Sequence, residues 1–192
     1  LPGMDFDFEA ELGVVIGEEC FDVDETESES KIAGYTCLND VTNADEEGYQ
    51  GIRRKSFDNA TPIGPVIAPP ESVPADATIE LALDGEVRQR TDRSKLVFSP
   101  PEIVSEVTTY MTLNPGDVLA MGTTTGVDAP DAKSANSSSS PSYSPSSPSG
   151  SRRRSAVARI STNSKPSRIW TRATRNLFYP DRLSDGRGIG RV

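Results

Sequence analysis

The chain has 192 residues and a net charge of −9, enough length for one domain with a core, but its 34% hydrophobic content is low for a globular protein and predicts that only part of it packs. No apolar run reaches the roughly 18–20 residues that span a membrane, no signal-like segment opens the chain, and its two cysteines, Cys20 and Cys37, lack metal-ligand spacing and fit a reducing cytosol better than a disulfide scaffold. A soluble, cytoplasmic protein is expected. Charge divides it in two: residues 1–132 carry 27 Asp and Glu against 8 Lys and Arg, a net −19, and residues 133–192 carry 2 against 12, a net +10. The first part is acidic enough to suggest a protein kept soluble at high salt; the second reads as a basic, disordered tail.

Residues 5–16 alternate. Phe6, Phe8, Ala10, Leu12, Val14 and Ile16 fall on one face, with Asp5, Asp7, Glu9, Glu11, Gly13 and Val15 on the other. This period predicts a strand with one packed face. Residues 22–31 are polar and read as a solvated loop or a short helical start. Residues 32–42, rich in β-formers, predict a second strand. Residues 62–70, punctuated by proline, are extended. Residues 78–89 alternate around Asp84-Gly85, a hairpin signal. Ser99, Pro100 and Glu102 then form a capping box that opens the one clear helix, which stops before the Pro-Gly turn at 115–116. Residues 118–127 are a strand running into a Gly/Thr loop. Beyond about residue 130 a Ser/Pro linker leads to an Arg cluster, and residues 151–192 show no period with which to bury apolar surface.

Four pieces carry candidate chemistry. Glu9 and Glu11, at i and i+2 of a strand, share a face about 7 Å apart along the backbone. A hard divalent cation would suit the space between them, but an alternating strand with a wet face in an acidic domain needs no metal. Asp40 follows strand-forming residues where Asp is a poor fit, as a site residue or as part of an Asx turn. Lys55 is one of two lysines between residues 32 and 132, a site cation or a surface salt-bridge partner. Thr123 lies in "MGTTTGV", a loop whose N–H and hydroxyl groups suit an anion or merely a turn.

In order and spacing these pieces are specific. The E-x-E strand, "GYTxxNDVT", "KSFD…PIGP", "GEVRQ", "FSPPEIVS" and "MTLNPGDVLxxGTTTGV" together resemble the fumarylacetoacetate hydrolase family over residues 5–128. The resemblance implies a mainly β fold, a β-sandwich-like roll with one or two short helices, over residues 1–130, followed by a disordered tail over 131–192. It implies a metal-dependent enzyme of 2-oxo acid catabolism that hydrolyses a C–C bond, hydrates, decarboxylates or isomerises an acylpyruvate or 2-oxo diacid. Glu9, Glu11 and Asp40 would be the ligands of Mg²⁺, or of Mn²⁺ or Ca²⁺. Lys55 would stabilise an oxyanion or enolate, and Thr123 would bind a substrate carboxylate or carbonyl. Asp7 stays outside the triad. A homodimer is implied for a complete member.

The chain also departs from the pattern. Ala44 stands where the family's "NDVTARD" has arginine, Thr124 replaces a loop proline, and Asp128 replaces a glycine. The family's His–Glu base has no counterpart, because the chain has no histidine. The acidic closing strands of the family are replaced by a basic tail. The expectation is a domain incomplete at its start, with a tail translated out of frame. Two other readings stay open: an inactive remnant that still binds a cation, and a binding protein whose tail contacts nucleic acid.

Overall fold

The computed structural model describes residues 6–44, 52–127, 155–161 and 169–174. Its elements run, in chain order, β1 (Phe6–Asp7), β2 (Ala10–Ile16), α1 (Glu25–Lys31), β3 (Ile32–Asn39), β4 (Thr42–Asn43), α2 (Ile52–Lys55), β5 (Thr78–Leu83), β6 (Glu86–Asp92), α3 (Pro100–Thr108), β7 (Val118–Ala120), β8 (Ser155–Ser161) and β9 (Ile169–Thr174). The fold is mainly β, as expected. Among the described residues it has three short helices, two of seven or more residues and the single turn α2.

The first alternating stretch is interrupted after Asp7. The chain leaves β1, which pairs with β4, and enters β2 after two intervening residues. At the break, the Glu9 N–H donates to Asn39 Oδ1 (2.9 Å) and the Asp40 N–H donates to the Glu9 carbonyl (2.9 Å). One continuous alternation therefore serves two sheets. The predicted wet face of β2 is not wet, since all seven of its residues are buried. β2 is the central strand of an antiparallel sheet ordered β3–β2–β7, and a central strand covered on both faces has no solvated side.

A second antiparallel sheet is ordered β6–β5–β8–β9. The hairpin β5–β6 turns on Asp84 (φ 52°) and Gly85 (φ 88°), and positive φ at both central residues is what a tight hairpin turn demands. The sheets enclose one core. Leu12 and Val14 of β2, Cys37 of β3, Ile79 and Leu81 of β5, and Ile160 of β8 are all buried in it. Two sheets sharing their inner faces make the sandwich. Cys20 and Cys37 are both buried.

Two stretches of the basic tail are strands, which the sequence reading did not expect. β8 pairs with β5 along its length, from Thr78↔Ser161 to Leu83↔Ala156, and Ala158 and Ile160 each keep 2% exposure. The segment needs no core of its own, because it adds to an existing edge and lends alternate side chains to a core already built. The remainder of the predicted tail, with its Ser/Pro linker, lies outside the described residues.

α3 opens as predicted. Ser99 Oγ accepts from the Glu102 N–H (3.3 Å), and Glu102 Oε2 accepts from the Ser99 N–H (2.5 Å). Its buried Thr108 and the Ser105 hydroxyl bond the backbone of Val23, which fastens α3 to the loop leading into α1. The polar run 22–31 resolves into α1, N-capped by Asp24. Residues 62–68 run extended along β3, with bridges Leu38↔Ile63 and Tyr35↔Ala68, and so cover that sheet's edge. Among the described residues no helix is long and apolar enough to cross a membrane.

Candidate metal centre

The site lies at the end of the first sheet where β2 begins. Glu9 and Glu11 are two positions apart and project to the same side. In the β2–β3 register Ala10 faces Asn39 and Glu11 faces Leu38. Continued by one residue, this pairing sets Glu9 beside Asp40, and the Asp40-to-Glu9 backbone bond holds them there. One carboxylate oxygen from each of Glu9, Glu11 and Asp40 lies within 4.8 Å of the other two. Local sequence explains the placement: Asp40 ends β3 because Asp resists the strand, and the chain turns there toward β4.

Lys55, the last residue of α2, reaches into this cluster. Its Nζ donates to Glu9 Oε2 (2.9 Å) and to Asp40 Oδ2 (2.5 Å). The Phe6 ring meets the Phe57 ring at 5.4 Å, tying the segment after α2 to β1 and holding the lysine over the site. Burial pulls the Lys55 pKa down, but the hydrogen bonds to Asp40 and Glu9 outweigh it and the net direction is up. Lys55 is therefore a fixed ammonium. Glu9 Oε1 also accepts from the Thr42 hydroxyl (2.9 Å).

Glu11 is the most enclosed of the three carboxylates, at 5% exposure. Its Oε2 accepts from the Gly122 N–H at 2.6 Å. Burial raises its pKa to about 7, helped by the charges of Asp40 and Glu9, while the Gly122 N–H and Lys55 pull it back. Three carboxylates share one ammonium, so the cluster keeps an excess of negative charge. Hard oxygen donors grouped in this way suit a hard divalent cation; the triad fits such an ion by its donor set and its spacing.

Thr123 follows Gly122 on the loop after β7. Its hydroxyl donates to the Ala10 carbonyl (3.0 Å) and accepts from Gln89 Nε2 (3.0 Å). The structure thus brings together Glu9, Glu11, Asp40 and Lys55 and sets Thr123 beside them with its side chain engaged on β2. Two polar residues of this neighbourhood had no role in the sequence reading: Thr42 and Gln89. Gln89 is the one buried residue of β6. The signal for it was a glutamine in the inward phase of a strand, between Val87 and Thr91. Ala44 brings no guanidinium; the adjacent Asn43 carbonyl instead accepts from Arg54 Nε (3.1 Å).

The family profile of the fumarylacetoacetate (FAA) hydrolase C-terminal domain matches residues 1–149. The chain belongs to the fumarylacetoacetate hydrolase family. Members compared with it include hydrolases and an isomerase. It is 45% identical over 123 residues to an uncharacterised protein of Archaeoglobus fulgidus, covering 63% of this chain and 49% of that one. It is 40% identical over 126 residues to the 2,4-didehydro-3-deoxy-L-rhamnonate hydrolase of a Sphingomonas species, covering 63% and 44%. The chain thus spans about half the length of the curated relatives it matches. Among solved structures, it is similar to the fumarylpyruvate hydrolase of Pseudomonas aeruginosa in complex with Mn²⁺ and pyruvate, at 28% identity and TM-score 0.66, covering 88% of this chain and 65% of that one. It is similar too to 5-carboxymethyl-2-hydroxymuconate delta-isomerase of Mycobacterium smegmatis, at 28% identity and TM-score 0.64, covering 86% and 57%. Family membership and an acidic triad able to hold a metal therefore coincide in this chain.

Proposed function

We propose that this chain carries the metal-binding half of an enzyme that cleaves or isomerises an acylpyruvate or a related 2-oxo acid. The observation that carries the reading is the grouping of Glu9, Glu11 and Asp40 within 4.8 Å, with Lys55 in hydrogen-bond contact. In a family whose solved members include Mn²⁺–pyruvate complexes, these three carboxylates would hold Mn²⁺ or Mg²⁺. When bound, the ion would supply Lewis-acid polarisation of a 2-oxo acid's oxygens.

The protein's own residues would do the rest. Lys55 has three N–H donors and gives two of them to Glu9 and Asp40, which leaves one to direct at a substrate oxygen. Its charge is preorganised where an enolate would gather negative charge. Thr42 keeps one Glu9 oxygen hydrogen-bonded, and the Gly122 N–H does the same for Glu11, so the carboxylates are oriented before any ligand arrives. Among the residues of this site the carboxylates are the groups that would take up a proton, because Lys55 is held as an ammonium.

The test is to titrate the chain with Mn²⁺ by calorimetry, follow pyruvate binding to the Mn²⁺ form by electron paramagnetic resonance, and assay fumarylpyruvate and maleylpyruvate for turnover. Micromolar Mn²⁺ binding lost in Glu11→Ala supports the reading. A chain that binds no divalent cation, or binds it equally well in Glu11→Ala, refutes it.

A further inference from the structure

Thr123 is the residue by which this loop would be expected to hold a substrate, yet its hydroxyl is spent. A hydroxyl has one hydrogen to give. Here that hydrogen goes to the Ala10 carbonyl at 3.0 Å, and the oxygen accepts from Gln89 Nε2 at 3.0 Å. The other end of the network is equally complete. Gln89 Oε1 accepts from the Ala10 N–H at 2.8 Å, and Nε2 gives a further bond to the Thr124 carbonyl at 3.0 Å. Gln89 keeps 1% exposure, so it touches no substrate. It joins the first residue of β2, flanked by Glu9 and Glu11, to the loop that opens at Gly122. The far end of the loop packs closely on β6: Gly126 has φ +97°, and a Cβ there would collide with the Arg88 carbonyl. The loop is thus bonded to β6 at Gln89 and packed against it at Arg88.

What the pinning leaves available is backbone. Among the described residues no hydrogen bond takes the N–H of Thr123, Thr124 or Thr125. They follow directly on Gly122, whose own N–H is on Glu11. Successive free N–H groups in a glycine-bounded turn are anion donors. We infer that Gln89 is a positioning residue that commits the Thr123 hydroxyl to β2, so that the backbone N–H groups of residues 123–125, rather than that hydroxyl, receive the carboxylate of a 2-oxo acid beside the triad. This rests on the function proposed above for the ligand it names, whereas the clamp itself stands on the hydrogen bonds.

The experiment compares Gln89→Met, Thr123→Val and the double variant with the native chain in two readouts. The first is hydrogen exchange of the metal-free chain. Exchange of the Gly122 amide, which is held on Glu11, should rise about tenfold in each single variant while β3 amides stay protected. The second is pyruvate affinity of the Mn²⁺-loaded chain. Each single variant should lose about tenfold and the double variant no more than either, because the two residues act as one unit. Thr123→Ser should restore native values in both readouts. Thr123 is exposed at the loop, so Thr123→Val and Thr123→Ser keep the test open even if Gln89→Met fails to fold. Unchanged exchange at Gly122, or losses that multiply in the double variant, would overturn the inference. If the native chain binds neither Mn²⁺ nor pyruvate while the exchange effect is present, the proposed function fails and the clamp stands.

Discussion

Glu80 on β5 and Glu11 on β2 are almost equally buried, at 4% and 5% exposure, and their surroundings differ in one respect. Glu80 lies between guanidinium groups from both flanking strands. Arg90 of β6 approaches it at 3.4 Å, and Arg159 of β8 bonds its other oxygen. Glu11 makes no ion pair among the described residues; it has a backbone N–H from Gly122 and two other carboxylates for neighbours. The first arrangement is closed. Two guanidinium groups more than neutralise the one carboxylate, and what the arrangement does is staple three strands together. The second is left short of positive charge, with Lys55 serving Glu9 and Asp40. Buried charge is tolerated when it is paired, so a carboxylate cluster left under-neutralised is the one to suspect of receiving a cation from outside.

The sharpest way to break that contrast is Glu11→Ala. At Mn²⁺ concentrations about 100 times its Kd, the native chain should gain about 2.7 kcal/mol of stability. Glu11→Ala should lose nearly all of this gain, read as the Mn²⁺-dependent shift of the thermal midpoint. Glu80→Ala should leave the shift in place. If both variants abolish it, the two sites are not functionally distinct.

Acidity sharpens the contrast next. Glu11 ionises near pH 7 when folded, against about 4.5 as its ordinary value. Below pH 7 a proton competes with the metal, so Mn²⁺ affinity should climb about tenfold per pH unit up to about 7 and level off above. In the metal-free chain the sign is reversed. Between pH 4.5 and 7 the unfolded state has released a proton that the folded state retains, so Glu11 costs stability as pH rises through this window. Glu11→Gln should flatten that part of a plot of urea midpoint against pH. A slope that survives Glu11→Gln belongs to another group.

Arg159→Ala probes the closed site. It leaves Glu80 buried against the more exposed Arg90 alone and should cost about 1–3 kcal/mol in urea denaturation, with Mn²⁺ affinity unchanged. Because Arg159 lies in the basic tail, the same measurement tests whether β8 contributes to stability in solution. The smallest effect expected is that of Ser99→Ala, which removes the N-cap of α3 for about 1 kcal/mol and should affect neither carboxylate site.

Several of these features were legible before any coordinates. The capping box at Ser99, the turn at Asp84-Gly85 and the alternation of 6–16 are local signals, each set by residues within a few positions of one another. The E-x-E pair was visible too, as were Asp40 and Lys55, through the order of short motifs. β8 was not, since a seven-residue alternation just behind an arginine cluster resembles any basic linker until a neighbouring edge is available to receive it. The covered second face of β2 was missed for a related reason. Asp7, Glu9 and Glu11 suggest water, and only the placement of β2 between β3 and β7, with the loop at Gly122 beyond, encloses Glu11.

By itself the sequence determined the strands of the acidic part, the capped start of α3, the turn at Asp84-Gly85, and which acids and lysine could meet, because such preferences act over one turn or one strand. The tertiary structure alone decided that Glu11 is enclosed while Glu9 stays partly open. It also decided that Lys55 serves two carboxylates and that Gln89, 79 residues from Ala10, holds the end of β2 and the Thr123 loop in one network. Those are properties of burial and of contacts between distant segments, and a carboxylate acquires its charge state and its partners only when the chain has closed around it.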